Sequence, residues 1–202
     1  MSRDKKRSSL SFRSRGSFDV GSSKPDQCSP VLEEQRPPEL TTREKELLIE
    51  TWKELEENIA KVGVITFVSL FETHPDVQES FMSFSGVDIE DLKHSKQLRA
   101  HALRVMAFVQ KAVARLHEPE KLETLLKELG RKHVGYGAKQ KYVELVGPQF
   151  ILAIKPSLEK QWDEELDDAW THLFKIIEFV MVSSMDDDRK DQRTLERYII
   201  YI

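Results

Sequence analysis

The sequence predicts an all-α domain of about 145 residues behind a polar N-terminal tail. From residue 41 onward, apolar residues recur three and four positions apart, which is the spacing of one helix face. Prolines and glycines interrupt this pattern at intervals, and no alternating strand pattern extends beyond a few residues. Several helices of unequal length with short breaks argue against a simple four-helix bundle.

The first 38 residues are predicted to form a disordered tail. They contain nine serines and few large apolar side chains, so they cannot bury enough surface to offset the entropy lost on ordering. Residues 1–24 carry a net charge of +5, whereas the whole chain carries −4. We expect a solubilising tail, with phosphorylation or weak contact with anionic lipid as the alternative. The charge of the whole chain gives no reason to expect nucleic acid as a partner.

The first predicted helix begins at residue 41. Thr41 and Glu44 have the spacing of a capping box, in which each side chain accepts a hydrogen bond from the other residue's backbone amide. The buried face then continues through Leu48, Trp52, Leu55, Ile59, Val64, Phe67 and Phe71. Pro75 ends this pattern, because proline forces the preceding residue out of helical geometry, and it is suited to open a new turn.

Two helices on either side of Pro119 each carry a histidine on their apolar face. The longer helix precedes the proline, and its face consists of Leu98, His101, Val105, Phe108 and Ala112. The shorter helix follows, with Leu122, Leu126, Leu129 and His133 on one face. Gly135 and Gly137 end it, because glycine adopts left-handed cap geometry without strain.

Residues 139–155 are predicted to form a further helix with a kink near residues 144–148. Pro148 in mid-helix would remove an amide and clash with the preceding turn, at about 3 kcal/mol unless the helix bends. A final helix carries Leu166, Trp170, Leu173, Ile177 and Val180 on its apolar face, and polar residues 186–194 predict its end. The domain is therefore expected over residues 39–186, with a short C-terminal extension over residues 187–202.

The two histidines on apolar faces are the candidate functional residues. An imidazole in such a position needs a polar partner, because burying an unsatisfied polar group costs about 1–3 kcal/mol. For His101 and His133 that partner is a metal ion, a haem iron or a polar group of the protein. The carbonyl of Leu129, one turn before His133, is a candidate within the helix. Periodicity alone does not decide between haem, zinc and a structural role.

Other function classes find little support in the sequence. The chain has no glycine-rich phosphate loop, no Gly-x-Ser-x-Gly and no His-Glu-x-x-His motif. A single cysteine, Cys28, excludes an internal disulfide and is typical of a reducing compartment. No apolar run approaches the ~18 residues of a membrane span. We therefore expect a cytoplasmic protein.

The segments around both histidines resemble those of globins, and in particular the neuroglobin and globin X branch. Residues 98–106 are similar to the distal helix of that branch, and residues 129–133 to its proximal segment. Trp52 and Phe81, the latter six residues after Pro75, also match in order and spacing. The resemblance covers residues 39–185 and implies a globin fold, with about seven to eight helices around a haem pocket.

The resemblance also implies a role for each residue of a site that holds haem b (iron protoporphyrin IX). His133 would be the proximal iron ligand, and His101 the distal histidine, able to bind the iron as a sixth ligand. Phe67 and Val105 would line the ring on the distal side, and Phe81 would pack on the haem face. Val146 and Phe150 would line the proximal side, and Phe174 would close the pocket from the last helix. Arg104 would pair with a haem propionate, with Lys139 as a weaker candidate for the same role.

By the same resemblance, the expected function is reversible binding of O2, with NO, CO or nitrite as other small ligands. Three roles stay open on sequence alone. The first is oxygen storage or transport. The second is an enzyme-like reduction of nitrite or oxidation of nitric oxide, with electrons from a reductase. The third is redox sensing or signalling, in which the basic tail binds a partner. The first two use the same site residues, so the sequence does not separate them.

Overall fold

The computed structural model describes residues 36–200, with side chains described for residues 36–191, so most of the predicted tail lies outside the described residues. The described chain is all-α, as predicted. Its α-helices are α1 (Thr42–Leu55), α2 (Ile59–Thr73), α3 (Pro75–Glu79), α4 (Ile89–Lys93), α5 (Lys96–Val113), α6 (Pro119–Gly135), α7 (Val146–Ile154) and α8 (Glu164–Ile200). Short 3-10 turns lie at Glu56–Asn58, Gln140–Tyr142 and Lys155–Ser157.

The helix starts follow the predicted local chemistry. At the start of α1, the Glu44 amide donates to Thr41 Oγ1 over 3.2 Å, and the Thr41 amide donates to Glu44 Oε2 over 2.7 Å. The predicted capping box is therefore present. Pro75 and Pro119 each occupy the first turn of a helix, where the missing proline amide has no intrahelical acceptor to lose. Gly137 ends the α6 region with a φ of +73°.

The core consists of two clusters of buried side chains. The larger cluster joins α1, α5, α6, α7 and α8 around Trp52, Phe150 and Trp170. The smaller cluster lies between α2, the segment after α3, and α5, and it contains Phe67, Phe71, Phe84 and Leu98. Its aromatic members include Phe67 and Phe84, and the rings of both contact the ring of His101. The smaller cluster is therefore the part of the core that bears on the candidate site.

The predicted helix over residues 139–155 was wrong in its first half. Residues 140–142 form a 3-10 turn, and α7 begins only at Val146. Pro148 consequently lies in the first turn of α7 rather than in mid-helix. There its missing amide costs little, because the first amides of a helix have no intrahelical acceptor. A new helix start replaces the predicted kink.

The predicted break at residues 186–194 was also wrong. α8 continues without interruption to Ile200, and the expected domain boundary at residue 186 falls inside it. The polar run contains no proline or glycine, and its Asp, Arg, Lys and Gln side chains are compatible with a helix. Within the described residues, no helix is long and apolar enough to cross a bilayer.

Candidate functional site

His133 lies in the last turn of α6, and its ring is oriented by its own helix. Its Nδ1 is 2.8 Å from the carbonyl oxygen of Leu129, the partner named from the sequence. Because a carbonyl only accepts, Nδ1 carries the hydrogen in this contact, so in the neutral ring Nε2 keeps its lone pair. The ring is half-buried, with the exposed Tyr136 edge-on at 6.0 Å between ring centroids. This is the orientation in which an imidazole serves as a metal ligand through Nε2.

His101 lies on α5 against three phenylalanine rings. The centroid of its ring is 4.7 Å from that of Phe67, 5.4 Å from Phe81 and 6.2 Å from Phe84, and each pair is close to perpendicular. Burial, together with the charges of Arg104 and His133, lowers the pKa of His101 to about 4. The imidazole is therefore neutral near pH 7, and its lone pair is available to a metal.

The donor set of the site fits an iron porphyrin. Two imidazoles on successive long helices lie close enough that a charge on His133 lowers the pKa of His101. A porphyrin supplies four nitrogen ligands itself and needs only axial ligands from the protein. Zinc, by contrast, takes three or four protein ligands, and no group of three or more His, Cys, Asp or Glu converges among the described residues.

The aromatic wall beside His101 contains a residue that sequence reasoning left out of the site. Phe84 is buried and stacks on Phe81, with 5.7 Å between ring centroids and 24° between ring planes. Phe71 completes the wall, 5.5 Å from Phe81. The three-residue spacing of Phe81 and Phe84 was the available signal, because residues three apart in a turn lie on one side. Val105, one turn after His101, packs on the same cluster.

The structure divides the remaining predicted lining residues between the two core clusters. Val146 packs on the smaller cluster with Val105. Phe150 is fully buried in the larger cluster instead, 5.3 Å from Trp170 and 4.9 Å from Phe174 between ring centroids. Phe174 is half-buried and lies against Gly147, where an added Cβ would be 3.0 Å from the Phe174 Cβ.

The two basic candidates at the rim are both exposed. Arg104 follows His101 by three residues on α5, and its charge reaches the His101 ring. Lys139 lies after α6, with Nζ 5.5 Å from the centroid of the Tyr142 ring. Of the two, Arg104 is the candidate whose charge lowers the pKa of a site histidine, His101.

The all-α architecture and the two histidines on neighbouring helices are the features of a haem-binding protein of the globin class. A family model described as Globin matches residues 65–181, more than half of the chain, and the chain therefore belongs to the globin family. A neuroglobin of Tetraodon nigroviridis is 30% identical over 139 residues, which are 68% of this chain and 87% of that protein. Cytoglobin-2 of Danio rerio is 28% identical over 149 residues, which are 69% of this chain and 83% of that protein.

A solved structure shares the same fold. It is a hexacoordinated haem protein from an anhydrobiotic tardigrade, with a TM-score of 0.69 and 23% sequence identity. The alignment covers 73% of this chain and 96% of that structure. Together with the family match, this confirms the predicted globin fold.

Proposed function

We propose that this globin holds haem b between His133 and His101 and binds O2 reversibly when His101 leaves the iron. The observation that carries the proposal is the state of His101, a neutral imidazole held against phenylalanine rings on the helix that precedes the His133 helix. Haem iron, when bound, supplies the binding of diatomic ligands and the exchange of single electrons. The chain has one cysteine, whereas c-type attachment uses two, so we propose non-covalent haem b.

Each histidine has a distinct task in this proposal. The hydrogen bond to Leu129 fixes the His133 ring, which would hold the iron in every state of the protein. His101 would compete with external ligands for the iron, so the apparent affinity for O2 would fall by the fraction of sites that it leaves open. An imidazole displaced from the iron could also donate an N–H hydrogen bond to bound dioxygen. Phe67, Phe81 and Phe84 keep water away from that ring.

The relatives support this assignment through what their names state. The tardigrade protein is described as hexacoordinated, and several of the most similar proteins are neuroglobins. Of the positions expected from the resemblance, we propose Phe67, Phe81, Phe84 and Val105 as the distal lining and Val146 on the proximal side. Arg104 is our candidate for a haem propionate.

Redox chemistry with nitrite or nitric oxide, fed by a reductase, is the second candidate function. The specific observation in its favour is the same His101, because an internal sixth ligand lowers the occupancy by O2 but leaves electron exchange with the iron intact. A single cysteine fits a reducing compartment such as the cytoplasm.

An absorption spectrum of the reduced protein tests the proposal. With two histidines on the iron, we expect sharp, intense visible bands without added ligand. His101→Leu should replace them with a single broad band and should speed the association of CO, while His133→Ala should abolish stable haem retention. His117→Leu, at an exposed position on the loop after α5, is the matched control and should leave the spectrum unchanged. A parent-like spectrum in His101→Leu would remove the sixth-ligand assignment.

The two candidate functions separate in a second measurement. If O2 binding dominates, the reduced protein should form an oxygen complex that releases O2 intact under reduced pressure. If redox chemistry dominates, the reduced protein should convert nitrite to nitric oxide in anaerobic solution, and His101→Leu should accelerate that conversion.

A further inference from the structure

The part of α8 beyond the family match contacts the loop that follows His133. The globin match ends at residue 181, whereas α8 continues to Ile200. Two side chains of this continuation, Asp186 and Arg189, reach residues 138–140, and we call them the C-terminal brace. The loop they reach is short and contains Gly137, directly after Gly135 ends α6 and Tyr136 caps it, so its own sequence gives it little stiffness.

The contacts of the brace are directional hydrogen bonds. Arg189 Nη2 donates to the carbonyl oxygen of Ala138 over 2.7 Å, and this bond is half-buried. Gln140 Nε2 donates to Asp186 Oδ1 over 2.6 Å and to the Val182 carbonyl oxygen over 3.3 Å. These bonds join positions that are 42 to 51 residues apart in the chain.

One residue of the loop connects the brace to His133. The amide of Ala138 donates to the carbonyl oxygen of His133 over 3.0 Å, while the carbonyl of the same residue accepts from Arg189. The last carbonyls of a helix lack intrahelical partners, so this bond closes the end of α6 at the histidine itself. A guanidinium at a helix C-terminus is also electrostatically favourable.

Contacts other than the brace hold the body of α6 against α8, so the brace acts on the end of α6. Further back, Ser184 Oγ donates to the carbonyl oxygen of Lys127 over 2.8 Å. A Cβ added at Gly130 would lie 2.6 Å from the backbone oxygen of Met181, so the two backbones already touch there. The body of α6 is therefore fixed by packing, and the brace fixes its last turn, which holds His133.

We propose that Asp186 and Arg189 are positioning residues for His133, which keep the end of α6 closed and hold the ring in its orientation toward the iron. The inference rests on the proposed function, in which His133 is the proximal ligand. Loss of the brace opens the last turn of α6, weakens the Leu129 contact that orients the ring, and so weakens ligation.

The test uses the full chain carrying His101→Leu, because removal of the sixth ligand leaves the iron–His133 stretching band visible in resonance Raman spectra of the reduced protein. In Arg189→Gln we expect this band to shift and haem transfer to an apomyoglobin acceptor to accelerate about tenfold or more. Arg189→Lys, which keeps a cationic donor, should recover part of both effects. Lys175→Gln removes an exposed cation from the same helix and should match the parent.

A readout without haem separates the brace from the ligand assignment. In the haem-free chain, Arg189→Gln should speed hydrogen exchange at the Gly137 and Ala138 amides. If thermal stability falls in Arg189→Gln while the band and the transfer rate stay at parent values, the brace has only a structural role and the inference is overturned. Unchanged exchange overturns it as well. If His133→Ala retains haem as firmly as the parent, the ligand assignment fails instead, whatever the exchange data show.

Discussion

The stability of the haem-free chain should depend on pH through His101. In the folded chain, the pKa of His101 is lowered from 6.5 to about 4, mainly by burial and also by the charges of Arg104 and His133. In the unfolded chain the ring titrates near 6.5. Between these two values the unfolded chain binds more protons than the folded chain, so stability falls as the pH falls. Above pH 6.5 the ring is neutral in both states and adds no pH dependence.

The size of this effect follows from the two pKa values. One pKa unit corresponds to about 1.4 kcal/mol, so the full difference amounts to about 3 kcal/mol once the pH is below 4. At pH 5 the loss relative to pH 7.5 is about 2 kcal/mol. Domains of this kind are stable by about 5–15 kcal/mol, so the change is large enough to measure.

The assay is urea unfolding of the haem-free chain, followed by circular dichroism, between pH 4.5 and pH 7.5. His101→Leu places an apolar side chain among the same phenylalanine rings and removes the titration. The free energy of unfolding of the parent, minus that of His101→Leu, should therefore decrease by about 2 kcal/mol from pH 7.5 to pH 5. His117→Leu, at an exposed position, provides the control. A parent-minus-variant difference that stays constant across this range would refute the argument that burial disfavours the charged ring.

Three further predictions concern the scaffold and use the same unfolding measurement. Gly130→Ala should destabilise the chain by about 1–3 kcal/mol, because its Cβ would meet backbone oxygen at 2.6 Å, whereas Gly135→Ala, with open space around its Cβ, serves as its control. Burial acts to raise the pKa of Glu44. The hydrogen bonds that Glu44 accepts, of which the one from His172 has the largest effect, outweigh burial and lower this pKa. The Glu44 contribution is therefore present at neutral pH and lost as the pH falls through the folded pKa, and Glu44→Gln should abolish this dependence. Pro148→Ala should change stability by less than about 1 kcal/mol, because the proline lies in the first turn of α7; a gain near 3 kcal/mol would indicate a mid-helix clash.

The sequence was sufficient for the features that depend on local chemistry. The capping box at Thr41, the helix starts at Pro75 and Pro119 and the hydrogen bond from His133 to Leu129 each involve residues within one turn. The histidines could be singled out because helical periodicity placed them on apolar faces.

The errors arose where distant parts of the chain decide the outcome. Nothing in the local sequence of residues 186–191 shows that Asp186 and Arg189 bind a loop about 50 residues earlier. Likewise, the pattern around Phe150 predicts a buried side chain but does not say which of two clusters receives it. Pro148 was predicted to interrupt a helix, because the apolar periodicity continues on both sides of it. It lies instead in the first turn of α7.

The two histidines differ in how the protein holds them, and this difference bears on function. His133 is fixed by a directional hydrogen bond of its ring to Leu129, and its carbonyl is bonded to the Ala138 amide. The His101 ring packs edge-to-face on phenylalanine rings, and each such pair contributes about 0.5–1.5 kcal/mol beyond the area it buries. Rotation of the His101 ring therefore forfeits packing alone, whereas displacement of the His133 ring also breaks a hydrogen bond. Under the proposed function, an incoming diatomic ligand should accordingly replace His101 and leave His133 bound to the iron.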